Sequence, residues 1–253
     1  MKIFKKLVVL SALIALLFGI IAYLPNEKSI SAKESYTVDF GYNDVLEGIK
    51  HKFGTLKNGS TLCMYNGQSM AILNPAYDIV VTKGDPDIVS STLGTNSNYI
   101  TATKVGEASV DLLLNPEDEN MKVSFKLKVV DDSILEEFAE NISFSDATIK
   151  LKYKNDVLTG KVSIKFANSS KSAMSIKLLN MCARNNDSKF QKLSAGKSKT
   201  IKATFKEIEQ NEHFDRYYPL TEKEIKNLAK GKTVKAGDFN FEAVIKYKDV
   251  YIF

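Results

Sequence analysis

Residues 99–114 read YITATKVGEASVDLLL, and apolar side chains recur at alternate positions on either side of a break at Lys104–Gly106. Residues 123–130, VSFKLKVV, alternate in the same way, with apolar residues on one side and serine or lysine on the other. Successive side chains of a strand point to opposite faces, so both runs predict strands with one dry and one wet face. Several short strands of this kind, separated by turn residues, predict a two-sheet β-sandwich.

Three motifs in this part of the chain follow a known pattern. Gly67 opens an alternating run that ends at Leu73, and Asp85-Pro-Asp-Ile-Val89 has the form of a turn that leads into a strand. In the third motif, Ile100–Val110, one strand enters a Gly-x-Ala turn and a second strand leaves it. Residues of about 65–130 therefore resemble the group 2 bacterial immunoglobulin-like (Ig-like) domain, which occurs in surface proteins, intimin-type adhesins and many wall-associated enzymes.

The resemblance departs from the family at one position. The family usually carries a central tryptophan, whereas this chain has no Trp and places Val81, or Ile79 beside it, in that stretch. The resemblance implies an Ig-like sandwich whose function belongs to its loops and edges. It implies little about the ligand.

The second half of the chain repeats the alternating pattern with more lysine. Strands are predicted at 148–153, 158–167, 174–178 and 200–205, with a final strand pair within 239–253. We expect a second β-sandwich that is Ig-like only in the rhythm of its strands and turns. The predicted fold class is therefore mainly β: two tandem Ig-like β-sandwich domains with a few short helices, behind an N-terminal transmembrane or signal helix.

Two local elements are predicted before the first of these motifs. Val45, Ile49 and Phe53 are spaced as on one face of a helix, which predicts a short helix over 44–53. Asn66-Gly67 separates two strand-like runs and predicts a hairpin, because both residues accept the positive φ of a type I′ turn.

Two further helices are predicted in the second half. Leu135, Phe138 and Ile142 share a helical face, which predicts a helix over 134–142. Thr221-Glu-Lys-Glu224 has the sequence of a capping box and predicts the start of another helix.

The N-terminus carries an uncharged apolar run from Leu7 to Leu24, preceded by three lysines and followed by Pro25. As a helix it would be about 27 Å long, close to the ~30 Å hydrocarbon core of a bilayer. Two interpretations remain open: an uncleaved signal-anchor and a cleaved signal peptide. Both predict that the rest of the chain is exported, so the expected location is the cell membrane, single-pass with extracytoplasmic C-terminal domains, or secretion.

These patterns predict four segments. Residues 1–25 are the signal-anchor or signal peptide, and 26–34 are a spacer. Residues 35–131 are the group 2 Ig-like domain with an N-terminal extension, and 132–253 are the second Ig-like sandwich.

The net charge of +5 is unevenly distributed. Residues 35–130 contain 8 Lys against 11 Asp and Glu, whereas residues 133–253 contain 22 Lys and Arg against 15 Asp and Glu. A basic distal domain outside a membrane predicts an anionic partner, such as a wall or surface polymer, lipid headgroups or an acidic face of another envelope protein. Lysines that alternate with apolar residues are also typical of a strand surface that serves only solubility.

The sequence contains no pattern that predicts catalysis. His51 and His213 are far apart and have no Cys or carboxylate beside them at metal-ligand spacing, so neither a metal nor another cofactor is expected. Cys63 and Cys182 fall in different predicted domains, which favours two buried free thiols over a single bridge. We therefore expect a protein that is not an enzyme.

One aromatic stretch, Glu212–Pro219, has the composition of an interface. Phe214, Arg216, Tyr217 and Tyr218 are candidate binding residues, since Tyr and Arg are common interface anchors. In the alternative, Phe214 and one tyrosine close the end of the sandwich.

Together these features predict a non-catalytic envelope protein whose Ig-like domains mediate binding or adhesion outside the membrane. The alternative is a structural stalk or scaffold subunit of a membrane-associated envelope complex. No nucleic-acid partner is expected, and the membrane is contacted through Leu7–Leu24.

Overall fold

Strands make up most of the residues that the computed structural model describes. It describes residues 35–44, 49–93, 98–185, 188–210, 213–236 and 239–253. The prediction of a mainly β fold is confirmed. The predicted membrane or signal helix at Leu7–Leu24 lies outside the described residues, and no helix within them is long and apolar enough to cross a bilayer.

Ten strands lie before residue 155, and the rest follow. The first are β1 (Thr37–Asp44), β2 (Ile49–Lys57), β3 (Thr61–Tyr65), β4 (Ser69–Ile72), β5 (Asp78–Gly84), β6 (Val89–Thr92), β7 (Tyr99–Ala102), β8 (Gly106–Leu113), β9 (Lys122–Val130) and β10 (Ile142–Lys154). The remainder are β11 (Val157–Asn168), β12 (Met174–Leu179), β13 (Ala183–Asn185), β14 (Gln191–Leu193), β15 (Lys197–Ile208), β16 (Val234–Ala236), β17 (Glu242–Tyr247) and β18 (Val250–Ile252). The helices are α1 (Ser133–Asn141), α2 (Phe214–Tyr217) and α3 (Glu222–Ala229).

The strands form three sheets. Two have five strands each, in the orders β2-β1-β4-β7-β6 and β13-β15-β11-β10-β16. The third has eight strands in the order β14-β12-β17-β18-β3-β9-β8-β5, so it draws on both halves of the chain. The two halves meet where β18 pairs with β3 in parallel, with Val250 opposite Cys63.

The eight-stranded sheet is buried on both faces where β12 and β17 lie. Ile176 and Ile245 belong to one hydrophobic cluster, which is formed mainly by the second half. Leu179 and Val244 belong to the other cluster, which is formed mainly by the first half. Successive side chains of one strand therefore point into two different cores. Residues 36–253 form one compact unit.

Both helices predicted in the second half are confirmed. α1 spans Ser133–Asn141, and Leu135 and Phe138 pack against the second-half core as their spacing predicts. α3 starts at the predicted capping box, in which Thr221 accepts from the Glu224 backbone N–H and the Glu224 side chain accepts in return.

The predicted helix over 44–53 is wrong. Residues from Ile49 onward form β2, in which Ile49, His51 and Phe53 are buried while Lys50 and Lys52 are exposed. Ile49 and Phe53 are four residues apart and fit either period, but burial of His51 between them matches only the two-residue repeat of a strand. Pairing of β2 with β1 along its whole length fixes the extended form.

The predicted hairpin at Asn66-Gly67 is also wrong. A turn is present, with the Gln68 N–H donating to the Tyr65 carbonyl at 3.0 Å, but only Gly67 has a positive φ. A type I′ turn needs positive φ at both central residues, so this turn is of another type, and the two strands it joins do not pair with each other. The turn instead carries the chain from β3 in the eight-stranded sheet to β4 in a five-stranded sheet.

Candidate functional site

The candidate binding residues of the 212–219 stretch lie mostly in the core. Phe214, Tyr217 and Tyr218 are buried, and Arg216 is exposed on α2. The alternative in which this stretch closes the end of a β core accounts for all three aromatic side chains. Only Arg216 is placed to contact a ligand.

Hydrogen bonds hold the two buried tyrosines in place. The Asn180 amide donates to the Tyr218 hydroxyl at 2.6 Å, and the Tyr217 hydroxyl donates to the Glu242 carboxylate. Burial raises the pKa of both phenols, and the Glu242 carboxylate raises that of Tyr217 further. These contacts stabilise neutral tyrosines within the fold.

A cleft of about 840 Å³ lies over the junction of β18 and β3. Cys63 is in its lining, and the N-terminal turn of α1 forms part of its wall. Lys246 and Asp249 pair within it at 3.1 Å, and Lys248 reaches Glu137 at 2.6 Å. The principal charges of the cleft therefore neutralise one another.

The Cys63 thiol and the absence of a metal-ligand group in the described residues characterise the chemistry of the cleft. Burial, followed by the nearby Asp249 carboxylate, raises the pKa of the Cys63 thiol, which keeps it in the unreactive protonated form. Across the described residues there is no group of three His, Cys, Asp or Glu side chains that could hold a metal ion. Cys63 and Cys182 are both buried and are not joined by a disulfide bond, as expected.

A different surface concentrates charge without neutralising it. The solvent face of the sheet β13-β15-β11-β10-β16 carries seven exposed lysines, which we call the lysine face. They are Lys150 and Lys152 on β10, Lys161 and Lys165 on β11, Lys202 and Lys206 on β15, and Lys235 on β16. The opposite side of the same strands is buried in the second-half core.

Strand register brings three of these lysines into one row. Lys150 is the cross-strand partner of Lys161 on one side and of Lys235 on the other. Neighbouring strands are about 4.8 Å apart, and like charges directly opposite each other are destabilising. The row therefore gathers positive charge at some cost to the fold.

Acidic residues do not interrupt the lysine face. The outward positions of 148–152, 159–165 and 200–206 hold only lysine, serine and threonine. Within the described chain, the one ion pair that these seven lysines form joins Lys165 to Asp146 at 4.0 Å, between well-exposed side chains. The face therefore presents unneutralised cations and hydroxyl groups, which can bind anionic groups by charge and hydrogen bonding.

Spacing along the strands extends the row into a grid. Residues two apart on one strand are separated by about 6.7 Å, so Lys150 and Lys152 lie at about that spacing on β10. A ligand that repeats its negative charges every few ångströms can engage several lysines at once, whereas a small anion engages one or two. The geometry fits a polymer.

The sequence contains part of this signal. The Lys-x-Lys pair at Lys150–Lys152 indicates a strand with a basic outer face. The register that aligns Lys161 and Lys235 with Lys150 depends on pairing between distant strands, so the row itself was missed.

Comparison with known proteins identified no relative of this chain: no family model matches it, and no curated protein matches it significantly.

Proposed function

We propose that this protein is a non-catalytic envelope module that binds an anionic polymer on its lysine face. The observation that carries the proposal is the row Lys235–Lys150–Lys161, which no described carboxylate neutralises. An anionic polymer would reduce the repulsion between these lysines, and the counterions condensed on the polymer would be released. Both effects would favour the complex.

The proposal includes the location and architecture expected from the sequence. Leu7–Leu24 anchors the chain in the membrane or directs its secretion, and two Ig-like sandwiches, over 35–131 and 132–253, face the outside. A wall or surface polymer is then the partner within reach of the lysine face. Mass spectrometry of the mature N-terminus tests the first step, and a tag at Phe253 that is found in the cytosol would overturn it.

Binding is tested with the full-length chain in a non-ionic detergent and with long-chain polyphosphate as a defined polyanion. The triple variant K150Q/K161Q/K235Q should bind at least tenfold more weakly. Its dependence on salt should also be reduced by roughly three released counterions. The control K57Q/K83Q/K126Q removes three exposed lysines elsewhere and has the same net charge. Equal losses in the two variants would mean that net charge alone controls binding, which contradicts the proposal.

One observation supports a second candidate function, that of a stalk or scaffold subunit. The eight-stranded sheet runs through both halves of the chain, which makes residues 36–253 a stiff support. In that role the membrane helix itself would contact other subunits. Replacing Leu7–Leu24 with an unrelated anchor should then abolish assembly of the complex, whereas polymer binding by the lysine face should persist.

A further inference from the structure

An aromatic cluster lies at one end of the sheet that carries the lysine face. Phe144 on β10 is 62% exposed, the largest exposed fraction among the large apolar residues of the described chain. Its ring meets that of Phe241 edge-on, with centroids 5.2 Å apart. Both rings lie near the buried Phe166, with centroids 6.3 Å away, and Phe239 is adjacent to Phe241. We call Phe144, Phe239 and Phe241 the aromatic rim.

The rim is held rigidly although it is exposed. Phe144 is the cross-strand partner of Phe166, which is 2% exposed and belongs to the second-half core. Edge-to-face aromatic pairs such as Phe144 and Phe241 contribute about 0.5–1.5 kcal/mol beyond the burial of their area. A ligand that stacks on Phe144 would therefore meet a preorganised surface and lose little entropy by ordering it.

The backbone beside Phe144 lies at the end of β10 where strand pairing is incomplete. β16 pairs with β10 only at Ile149–Leu151, and past the end of β16 the Phe241 ring contacts that of Phe144. The register of β10 also shifts between Ser145 and Thr148, where Asp146 has a φ of 51°. Such irregularities redirect side chains at sheet edges.

The aromatic rim and the lysine face meet at this end of the sheet. Ser145, next to Phe144, is the cross-strand partner of Lys165. Adjacent residues of a strand point to opposite sides, so Phe144 lies on the core side of the sheet and Lys165 on the solvent side. A flexible chain that passes around this end of the sheet reaches both, whereas a flat bilayer reaches only one side.

We infer that Phe144 and Phe241 are a stacking subsite for sugar rings, and that the polymer on the lysine face is an anionic polysaccharide. This inference rests on the proposed function. A sugar ring has a face of C–H groups, which packs favourably against the electron-rich face of an aromatic ring. Its acid groups pair with the lysines, and its hydroxyls with the serine and threonine side chains of the lysine face. A polyanion without rings has no group for the aromatic rim.

The test compares two linear polyanions, polygalacturonate, which is built of sugar rings, and polyphosphate, which has none, on the full-length protein in a non-ionic detergent. Phe144→Ala should weaken polygalacturonate binding about twofold to twelvefold, the range expected for one aromatic contact, and leave polyphosphate binding and its salt dependence unchanged. Phe144→Tyr keeps the ring and should bind like the wild type. Ile225→Ala, which truncates a side chain that is 52% exposed on α3, is the matched control and should change neither.

The outcomes separate this inference from the proposed function. If Phe144→Ala binds polygalacturonate as tightly as the wild type does, and polyphosphate too, the sugar subsite is overturned and the lysine face is unaffected. A monomer–dimer equilibrium that Phe144→Ala abolishes would assign the ring to self-association and also overturn it. Failure of the wild type to bind either polymer would overturn the proposed function, and this inference with it.

Discussion

Lys150 on β10 and Lys161 on β11 are directly opposed cross-strand partners, and neither forms an ion pair with any described residue. Lys235 extends the same row on the far side of Lys150. Their repulsion is a property of the folded state, because it depends on strand register. Stability and polymer binding therefore respond in opposite directions when the row is changed.

Lys161→Glu should stabilise the fold and weaken polymer binding. The new carboxylate faces Lys150 and converts a repulsive pair into an attractive one, which is worth about 0.2–1 kcal/mol. Urea denaturation at low and high salt measures the gain, which should shrink as salt screens it. The control Lys83→Glu changes a strand lysine that faces Ser109, so its effect should be smaller. A gain in both stability and polyphosphate affinity would be inconsistent with the lysine face as the binding site.

Lys177→Met should destabilise the protein by about 1–3 kcal/mol. Lys177 on β12 is 7% exposed, and its amine donates to the Lys52 carbonyl on β2 at 2.7 Å, across two sheets. Its loss removes a charge-assisted hydrogen bond and leaves a carbonyl without that donor. Lys202→Met, on the lysine face, is the exposed control for urea denaturation. Similar stabilities of the two variants would mean that the bond between the sheets contributes little.

Strands with strict alternation were predictable because the signal lies within each strand. β9 alternates buried and exposed residues over Val123–Val129, as its sequence indicates. β2 was missed because Ile49 and Phe53 fit a helix as well as a strand, and only pairing with β1 decides between them. Asn66-Gly67 does form a turn, as its sequence predicts. The strand before it, β3, pairs with β9, some sixty residues later, which local sequence does not indicate.

The candidate site was predictable only in its composition. The excess of lysine after residue 133 indicates an anionic partner, but the sequence does not say which lysines come together. Lys150 and Lys235 are neighbours because β16 returns to β10 after more than eighty residues. Conversely, the aromatic residues at 214–218 are of types common in interfaces, yet they are buried in the core. Their burial depends on the surrounding sheets, which the local sequence does not show.

Stability should fall below about pH 4.5, and part of that fall should depend on Glu137. Its carboxylate accepts from Lys248 at 2.6 and 2.7 Å and from the Tyr247 hydroxyl at 2.7 Å, which lowers the pKa of Glu137 from its ordinary value of 4.5. A carboxyl whose pKa is lower in the folded state stabilises the fold above its unfolded pKa. That contribution is lost as the pH falls through the folded pKa.

Urea denaturation between pH 3 and 7 measures this dependence. Glu137→Gln should flatten the acid limb of the stability curve, whereas Glu140→Gln, at an exposed position on the same helix, should leave it unchanged. An acid limb that is identical in wild type and Glu137→Gln would show that the contacts to Lys248 and Tyr247 do not favour the ionised carboxylate.

Tyr218→Phe should lower stability by about 1–3 kcal/mol without changing polymer binding. The substitution removes the acceptor of the buried Asn180 amide, and an unpaired buried donor costs about that amount. Burial also raises the pKa of Tyr218, so the wild type should lose stability as the pH rises above about 10, where the unfolded phenol ionises first. Arg216→Ala, two residues away and exposed, is the control for stability. Weaker polymer binding by folded Tyr218→Phe would restore this stretch as a recognition element.

The two thiols should react in a fixed order with Ellman's reagent. Cys63 lines the cleft and is 9% exposed, whereas Cys182 is fully buried. Because burial raises its pKa, Cys63 should react slowly at pH 7.5 and faster as the pH approaches 9. Cys182 should react only when the core opens, at a rate set by unfolding and accelerated by urea. Cys63→Ser and Cys182→Ser assign each phase. Reaction of Cys182 first in native buffer would mean that the second-half core opens more readily than the cleft, which the continuous packing around Cys182 argues against.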